Sequence, residues 1–250
     1  MMHILQTEMK YLSIFSNMHP LTCGTIFQDL NQRDKYMHNF LMVHKQIIND
    51  DELKDYEKNH RNEGFVIYRF EDHTDKAYDF LNDYQRSTYG YYHQMIDKLT
   101  IPKAKAYDVT MMDPKHHNVF FDFMYQEDLE FGVSYATGNI KRQKEVLIKE
   151  HKRFFYLTVK DHEKIIGHIN AFMDGSYAKI DEFYVLDAYQ KQGYGTALMS
   201  KMIEHLREKQ ITEVYLVTNL ADTAQKLYER YGFNLVGTYV QHQKNVLKHS

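Results

Sequence analysis

The chain has 250 residues, of which 43% are hydrophobic and 26% are charged, and its formal net charge is -3. This composition is typical of globular proteins and argues against disordered and fibrous chains. The acidic balance disfavours phosphate-driven binding of nucleic acid, and no apolar run approaches the ~18 residues of a transmembrane helix. Residues 1–10 lack the pattern of a secretion signal, and the single cysteine, Cys23, excludes an internal disulfide. We therefore expect a cytoplasmic protein without nucleic-acid or membrane partners.

The N-terminal part of the sequence has weak periodicity. Strands are predicted at 36–43 and 64–70, and helices at 51–60 and 76–84. These elements predict a small α/β unit. The segment 34–39 is interpreted as ordinary strand packing, with a contribution to an acceptor pocket as the alternative.

The C-terminal part has a clearer pattern of alternating strands and amphipathic helices. Strands are predicted at 106–112, 153–159, 164–172, 177–186, 213–218 and 234–243, and helices at 117–131, 139–150, 196–208 and 223–231. The stretch around Pro102 predicts a domain boundary, which divides the chain into 1–102 and 103–250.

Two glycines, Gly193 and Gly195, lie between a predicted buried strand and an amphipathic helix. The first turn of a helix offers free backbone N–H groups and the positive end of its dipole. Glycine also lets the backbone approach a diphosphate closely. We therefore predict an anion site at 190–196, with a plain glycine turn as the alternative. A Rossmann fingerprint is excluded because Leu198 stands at the third glycine position, and the sequence of a P-loop is absent.

The same stretch reads Gln190-x-x-Gly193-x-Gly195, and a later one reads Ala224-Gln-Lys-Leu-Tyr-Glu-Arg-Tyr-Gly-Phe233. The first is similar to the Gln/Arg-x-x-Gly-x-Gly/Ala loop of the GCN5-related N-acetyltransferase (GNAT) superfamily. The second resembles that family's Ala-x-x-Leu-Tyr-x-x-x-Gly-Phe signature. The resemblance covers about residues 103–245. One departure is Ala221, where the family often has asparagine, and whether Asn219 substitutes stays open.

The resemblance implies acetyl-CoA as a co-substrate. The N–H groups of Gln192, Gly193 and Gly195 would hold its diphosphate. The Val185 backbone would pair with the pantetheine arm and polarise the thioester carbonyl, and Tyr228 would protonate the departing thiolate. The cofactor-binding residues implied in this way are Phe183, Tyr184, Val185, Gln190, Lys191, Gln192, Gly193, Tyr194, Gly195, Thr196, Asn219, Ala224 and Tyr228.

Acetyl transfer to an amine also requires a proton acceptor. An alkylamine with a pKa of about 10.4 must lose a proton, which costs roughly 4.6 kcal/mol at pH 7. Glu182 is the predicted general base. In a regular strand Glu182 and Val185 point to opposite faces, and a β-bulge would change that. Asp181, which shares a face with Phe183 and Val185, and an ordered water chain are the alternatives.

These observations predict an α/β (α+β) protein with a GNAT-like mixed central sheet flanked by helices and an additional N-terminal α/β domain. The role of residues 1–102 stays open, and a degenerate copy of the same fold is one alternative. We expect an N-acetyltransferase that passes acetyl directly to a primary amine in a ternary complex. The alternative is a non-catalytic acyl-CoA-binding sensor or scaffold.

The acceptor class stays open between a small-molecule amine and a peptide amine, and a homodimer is one option for the assembly. No metal is predicted. His162 and His168 are six residues apart across a predicted hairpin, whereas the His-Glu-x-x-His zinc motif places its histidines four apart on a helix.

Overall fold

The computed structural model describes residues 1–44, 51–60, 64–71, 75, 78–113 and 118–245. The first half contains α1 (Met2–Ser13), β1 (Asn17–Pro20), β2 (Gly24–Gln28), β3 (Phe40–Val43), α2 (Asp51–His60), β4 (Phe65–Phe70) and β5 (Gln85–Met95). The second half contains β6 (Asp108–Met111), α3 (Asn118–Asp128), α4 (Val133–Lys149), β7 (Phe154–Asp161), β8 (Lys164–Asp174), β9 (Tyr177–Val185), α5 (Tyr194–Glu208), β10 (Glu213–Asn219), α6 (Ala224–Arg230) and β11 (Asn234–Asn245).

The strands of these described ranges form one mixed sheet in the order β1-β2-β3-β4-β11-β5-β10-β9-β8-β7-β6. The predicted fold class, a mixed sheet flanked by helices with an N-terminal α/β region, is confirmed. The two halves share this sheet because β5 from the first half lies between β10 and β11 of the second. The division at residue 102 stays a prediction.

The order of elements repeats along the chain. Each half contains a hairpin, then a parallel β-α-β unit, then a short helix and a final antiparallel strand. The elements are β1-β2-β3-α2-β4-β5 in the first half and β7-β8-β9-α5-β10-α6-β11 in the second. In the first half the short helix is the 3-10 turn Asp79–Asp83. The sheet order is symmetric about the β11–β5 pair, so each half completes its sheet with the last strand of the other.

The two halves differ in how their parallel strands end. β3 and β4 pair up to their last residues, Val43 and Phe70. By contrast, β9 and β10 pair only at their beginnings, and the last register pair is Tyr215 with Lys179. Six residues of β9 and four of β10 extend beyond that pair. The second half therefore contains a wedge-shaped opening between two parting strands.

Helices cover both faces of the sheet. On one face α5 buries Leu198, Met202, Ile203 and Leu206 against the strands, which confirms the face predicted for this helix. On the other face α1, α3 and α4 contribute to a second core. No helix within the described ranges is long and apolar enough to cross a membrane.

Most predicted elements of the second half are confirmed within a few residues, although α4 begins at Val133, six residues earlier than predicted. The first half differs more. The predicted strand 36–43 divides into a 3-10 turn, Tyr36–His38, and the shorter strand β3. The predicted helix 76–84 is a 3-10 helix at Asp79–Asp83. Residues 76–77 and 117, at the starts of two predicted helices, lie outside the described residues. Four elements of the first half, α1, β1, β2 and β5, were not predicted from the sequence.

A buried ion cluster fastens α1 to the sheet. Lys179 Nζ lies 3.0 Å from Glu8 Oε1 and 3.1 Å from Asp181 Oδ2, and it also stands over the Tyr11 ring. The Tyr215 hydroxyl donates to Glu8 Oε2 at 3.0 Å. Burial alone would lower the pKa of Lys179, but the carboxylates of Asp181 and Glu8 outweigh it and raise that pKa above its ordinary value. The lysine is therefore charged and holds two buried carboxylates.

Replacing this lysine tests the cluster. The Lys179→Met variant leaves Glu8 and Asp181 without their cation, so we expect the free energy of unfolding to fall by about 3–5 kcal/mol. The matched control is Lys201→Met, which removes an exposed pair with Glu204 and should cost less than about 1 kcal/mol. Urea unfolding followed by circular dichroism measures both. Equal losses in the two variants would contradict the assignment.

Candidate active site

A β-bulge in β9 produces the opening in the sheet. The register of β8 and β9 shifts between the pairs His168–Tyr184 and Asn170–Asp181, so Glu182 and Phe183 together face one residue of β8. Glu182 has a φ of 44°, a conformation that is uncommon for a non-glycine residue. The bulge bends the end of β9 away from β10. It also breaks the regular alternation on which the predicted faces of Asp181 and Glu182 depended.

The free edge of β9 presents the Val185 amide. The Leu186 N–H donates to Ile166 O of β8 at 2.9 Å. Because backbone N–H groups alternate in direction along a strand, the Val185 N–H points the other way, into the opening. The Val185 carbonyl already accepts from Gln190 Nε2 at 3.1 Å. The Val185 N–H therefore remains as a hydrogen-bond donor for an extended ligand in the gap.

The beginning of α5 lies beside this gap. Gly193 is the N-cap residue with a φ of 103°, and no side chain caps the helix. The first N–H groups of α5 therefore lack the partners that a capping side chain would give. A Cβ at Gly195 would lie 3.2 Å from the Phe183 ring, so this position has little room for a side chain. The geometry fits the predicted anion site at 190–196.

A groove of about 850 Å³ runs from Val185 past the start of α5 to α6; we call it the cofactor groove. Lys191, Lys226 and Arg230 line it with a single carboxylate, Asp222. Its charge is therefore positive, which suits a diphosphate ligand. It contains nine residues of the implied cofactor set, namely Phe183, Val185, Gln190, Lys191, Gly193, Gly195, Thr196, Ala224 and Tyr228.

Four residues of that set lie elsewhere. Tyr184 lines a different cleft, and its hydroxyl donates to Glu127. The Gln192 carbonyl accepts from the Tyr107 hydroxyl at 2.6 Å. The Tyr194 ring is buried in the core. Asn219 accepts the Ala221 N–H at 2.9 Å, so its side chain shapes the turn after β10.

Tyr228 of α6 lines the cofactor groove together with Val185. Its ring packs near Tyr92 and Phe233. Burial, followed by the charges of Asp181 and Asp222, raises the pKa of Tyr228 well above its ordinary value. The phenol is therefore protonated at neutral pH and can act only as a proton donor there.

The two candidate bases have different surroundings. Asp181 is held by the Lys179 ion pair inside the protein. Glu182 accepts hydrogen bonds from the Tyr156 hydroxyl at 2.5 Å and from Gln143 Nε2 at 3.2 Å. It also lines a cleft on the other side of Phe183 from the cofactor groove. Both carboxylates also line a smaller pocket of about 220 Å³, but of the two only Glu182 lines the cleft beside Phe183.

Comparison with known proteins agrees with this geometry. The Acetyltransferase (GNAT) family model matches residues 120–233. Residues 120–233 are a GNAT domain. The chain is also 27% identical over 117 residues to the ribosomal protein bS18-alanine N-acetyltransferase of Haemophilus influenzae. The aligned region covers 46% of this chain and 76% of that protein.

Two solved structures share the fold across both halves of the chain. A conserved protein of unknown function from Staphylococcus epidermidis has a TM-score of 0.73 and 21% identity, covering 95% of this chain and 97% of that one. A GCN5-related N-acetyltransferase from Kribbella flavida has a TM-score of 0.67 and 10% identity, covering 97% and 94%. The repeated topology is therefore found in other proteins.

A second cleft, of about 800 Å³, adjoins the cofactor groove at Phe183; we call it the acceptor-side cleft after the ligand predicted for that side. The first half of the chain contributes to it through residues 34–37. Because Tyr36–His38 is a 3-10 turn, the interpretation of that segment as strand packing was wrong, and its role in an acceptor pocket stays a prediction. Its lining includes Asp34, Lys35, Tyr36, Met37, Met124, Glu127, Asp128, Glu130, Phe131, Tyr135, Asn139, His168, Glu182, Phe183 and Tyr184.

Sequence reasoning missed several residues of this cleft. Lys35 lies 3.6 Å from Glu182 and donates to Asn139 Oδ1 at 2.9 Å. Burial raises the pKa of Asp128, which accepts from Asn139 at 2.8 Å. One signal in the sequence could have indicated this cleft, namely polar residues at positions of a strand that are expected to be buried, such as His168 on β8. Within the described residues, no group of three or more His, Cys, Asp or Glu could hold a metal.

The glycines at the start of α5 provide a test of the cofactor groove. We expect Gly193→Val with Gly195→Val to weaken coenzyme A binding at least tenfold, since one change strains a positive φ and the other intrudes on Phe183. Titration calorimetry measures the affinity. The control is Gly175→Val, which has a φ of 59° in the β8–β9 turn. Unchanged affinity in the double variant, with the fold retained, would refute the site.

Proposed function

We propose that this GNAT domain transfers acetyl from acetyl-CoA to a primary amine by direct transfer in a ternary complex. The observation that carries the proposal is the shared position of the unpaired Val185 amide, the uncapped start of α5 and three cationic side chains along one groove. An extended, anionic thioester matches each of these features. The cleft beyond Phe183 gives the amine its own approach to the same point.

Acetyl-CoA, when bound, supplies an activated acetyl thioester. The N–H groups at the start of α5 bind its diphosphate, and the Val185 N–H donates to the thioester carbonyl. Glu182 takes a proton from the acceptor ammonium, directly or through a water molecule, and so leaves the neutral amine that attacks. The new C–N bond forms as the C–S bond breaks, and Tyr228 gives its phenolic proton to the leaving sulfur. The nitrogen then loses its second proton, which restores the Tyr228 phenol.

The neighbours of Glu182 suit a base that must remain fixed. Tyr156 and Gln143 hold its two oxygens, and Lys35 lies 3.6 Å away on the cleft side. These three contacts fix the carboxylate beside the bulge that separates the two clefts. Asp181 lies in the ion pair with Lys179, whose charge holds the pKa of this carboxyl below its ordinary value, and this disfavours proton uptake by Asp181.

We further propose that residues 1–102 are a degenerate copy of the same fold that has lost its cofactor groove. The repeated order of elements supports this, and so does the pairing of β3 with β4 up to their ends. In this proposal the first half retains two tasks, which are to complete the sheet with β5 and to border the acceptor-side cleft. A cytoplasmic location and a homodimer stay predictions.

The base is tested by Glu182→Gln, which keeps the size of the side chain but cannot accept a proton. We expect kcat, measured as thiol release with an amine panel, to fall by about 100-fold or more. The affinity for coenzyme A, measured by titration calorimetry, should stay within about a factor of two of the wild type. The control, Glu163→Gln, changes an exposed carboxylate in the β7–β8 turn. Wild-type turnover in Glu182→Gln would transfer the role to another group.

The acid is tested by Tyr228→Phe. Because the phenol is protonated at neutral pH, its loss should lower kcat by about tenfold or more and leave coenzyme A affinity nearly unchanged. The control is Tyr92→Phe, whose ring packs against Tyr228. Equal kcat values for Tyr228→Phe and the wild type would remove the acid role. Coenzyme A binding without turnover of any amine would favour an acyl-CoA sensor.

A further inference from the structure

The acceptor-side cleft carries more negative charge than one general base requires. Besides Glu182, it is lined by Asp34, Glu127, Asp128 and Glu130. None of these four carboxylates makes a salt bridge within the part of the chain that the structure describes. Asp34 comes from the first half of the chain and the other three from the end of α3 and the turn after it. Glu127 accepts from the Tyr184 hydroxyl and Asp128 from Asn139, but neither partner is a cation. Two separate segments therefore place carboxylates without a cationic partner along one space.

The cationic side chain in the lining is already engaged. Lys35 Nζ donates to Asn139 Oδ1 at 2.9 Å and lies 3.6 Å from Glu182. Its side chain is only 6% exposed, so it cannot swing out to the four carboxylates without leaving these partners. The cleft thus lacks an internal cation for them, and a bound ligand can supply one.

A buried histidine in the same lining offers a neutral ring that can hydrogen-bond to a ligand. His168 is 7% exposed, and its Nδ1 is buried with no hydrogen-bond partner among the described residues. Burial lowers the pKa of His168 to about 4, so the ring is neutral at neutral pH and one of its nitrogens is an acceptor. In the tautomer whose acceptor nitrogen faces the cleft, the ring accepts a hydrogen bond from an ammonium group, and because it is neutral it adds no positive charge that would repel one.

We propose that the acceptor-side cleft binds an amine that carries a second ammonium group, of the class of short aliphatic diamines. The inference rests on the proposed acetyl transfer, in which Glu182 serves the reacting nitrogen. The four other carboxylates take no part in that step, so they face a second positive charge further along the ligand. One nitrogen is acetylated and loses its proton to Glu182, while the other remains an ammonium ion held by the cleft.

A peptide acceptor fits the lining less well. Each residue of a peptide brings a carbonyl oxygen, and carboxylates cannot donate to it. The aliphatic chain of a diamine instead suits the Tyr36, Met37 and Phe131 side chains at the same cleft. The aromatic faces also favour a nearby cation.

Three acceptors with the same four-carbon chain isolate the charge effect: 1,4-diaminobutane, butylamine and 4-aminobutanoate. Thiol release with acetyl-CoA gives kcat/KM for each. We expect the diamine to exceed butylamine at least tenfold and 4-aminobutanoate to be the poorest, because its carboxylate is repelled. Equal values for the three amines, or faster turnover of a short peptide with an N-terminal alanine, would overturn the inference while leaving acetyl transfer intact.

Variants test the residues. Asp34→Asn and Glu130→Gln should each reduce the preference for 1,4-diaminobutane over butylamine by about fivefold or more, because each removes one charge facing the second ammonium. The control is Asp122→Asn, an exposed carboxylate on α3 that is not part of the cleft lining, and it should keep the preference. A preference unchanged in both cleft variants would refute the assignment.

Binding separates this inference from the proposed function. Titration of 1,4-diaminobutane into the protein with coenzyme A, followed by calorimetry, needs no turnover. Saturable diamine binding that Asp34→Asn weakens, without acetylation of any amine, would support the charged cleft and refute the transferase. Turnover of amines without preferential diamine binding would do the reverse.

Discussion

The separation of β9 from β10 is the constraint on which the rest of the site depends. The bulge at Glu182 bends β9 after its last pairing with β10, at Lys179. One backbone distortion therefore has two effects. It leaves the Val185 amide unpaired on one side, and it turns the Glu182 carboxylate toward the space on the other. In the first half, β3 and β4 remain paired to their ends, so no comparable opening exists between these two strands as far as the structure describes them.

The two spaces that meet at Phe183 have opposite charge: the cofactor groove is mainly positive and the acceptor-side cleft is mainly negative. The cofactor groove contains three cations and one carboxylate, whereas the acceptor-side cleft contains five carboxylates and one engaged lysine. An anionic co-substrate and a cationic acceptor would each be attracted to its own side and repelled from the other. The aromatic ring between the two spaces is the point where they meet. The buried Lys179 cluster holds the strand that supports both sides, because it ties β9 to α1.

The features that could be predicted from sequence are those set by neighbouring residues. The amphipathic face of α5, the glycines before it and the Ala224–Phe233 signature are local patterns, and they predicted a binding site where the structure has a groove. β5 could not be predicted in this way, because its partners β10 and β11 lie more than 100 residues later in the chain and bury both of its edges. The bulge at Glu182 has no glycine or proline to mark it. Lys35 joins the site only through tertiary contacts.

The position of β5 has a consequence for the nascent chain on the ribosome. Residues 85–95 are synthesised well before residues 213–219 and 234–245, which form the two strands that pair with them in the folded protein. Until translation is almost finished, this tyrosine-rich strand exposes two open hydrogen-bonding edges, a state that invites aggregation. Folding dominated by such distant pairings is intrinsically slow. We therefore expect the nascent protein to depend on holdase chaperones more than a tandem of independently folding domains of equal size would.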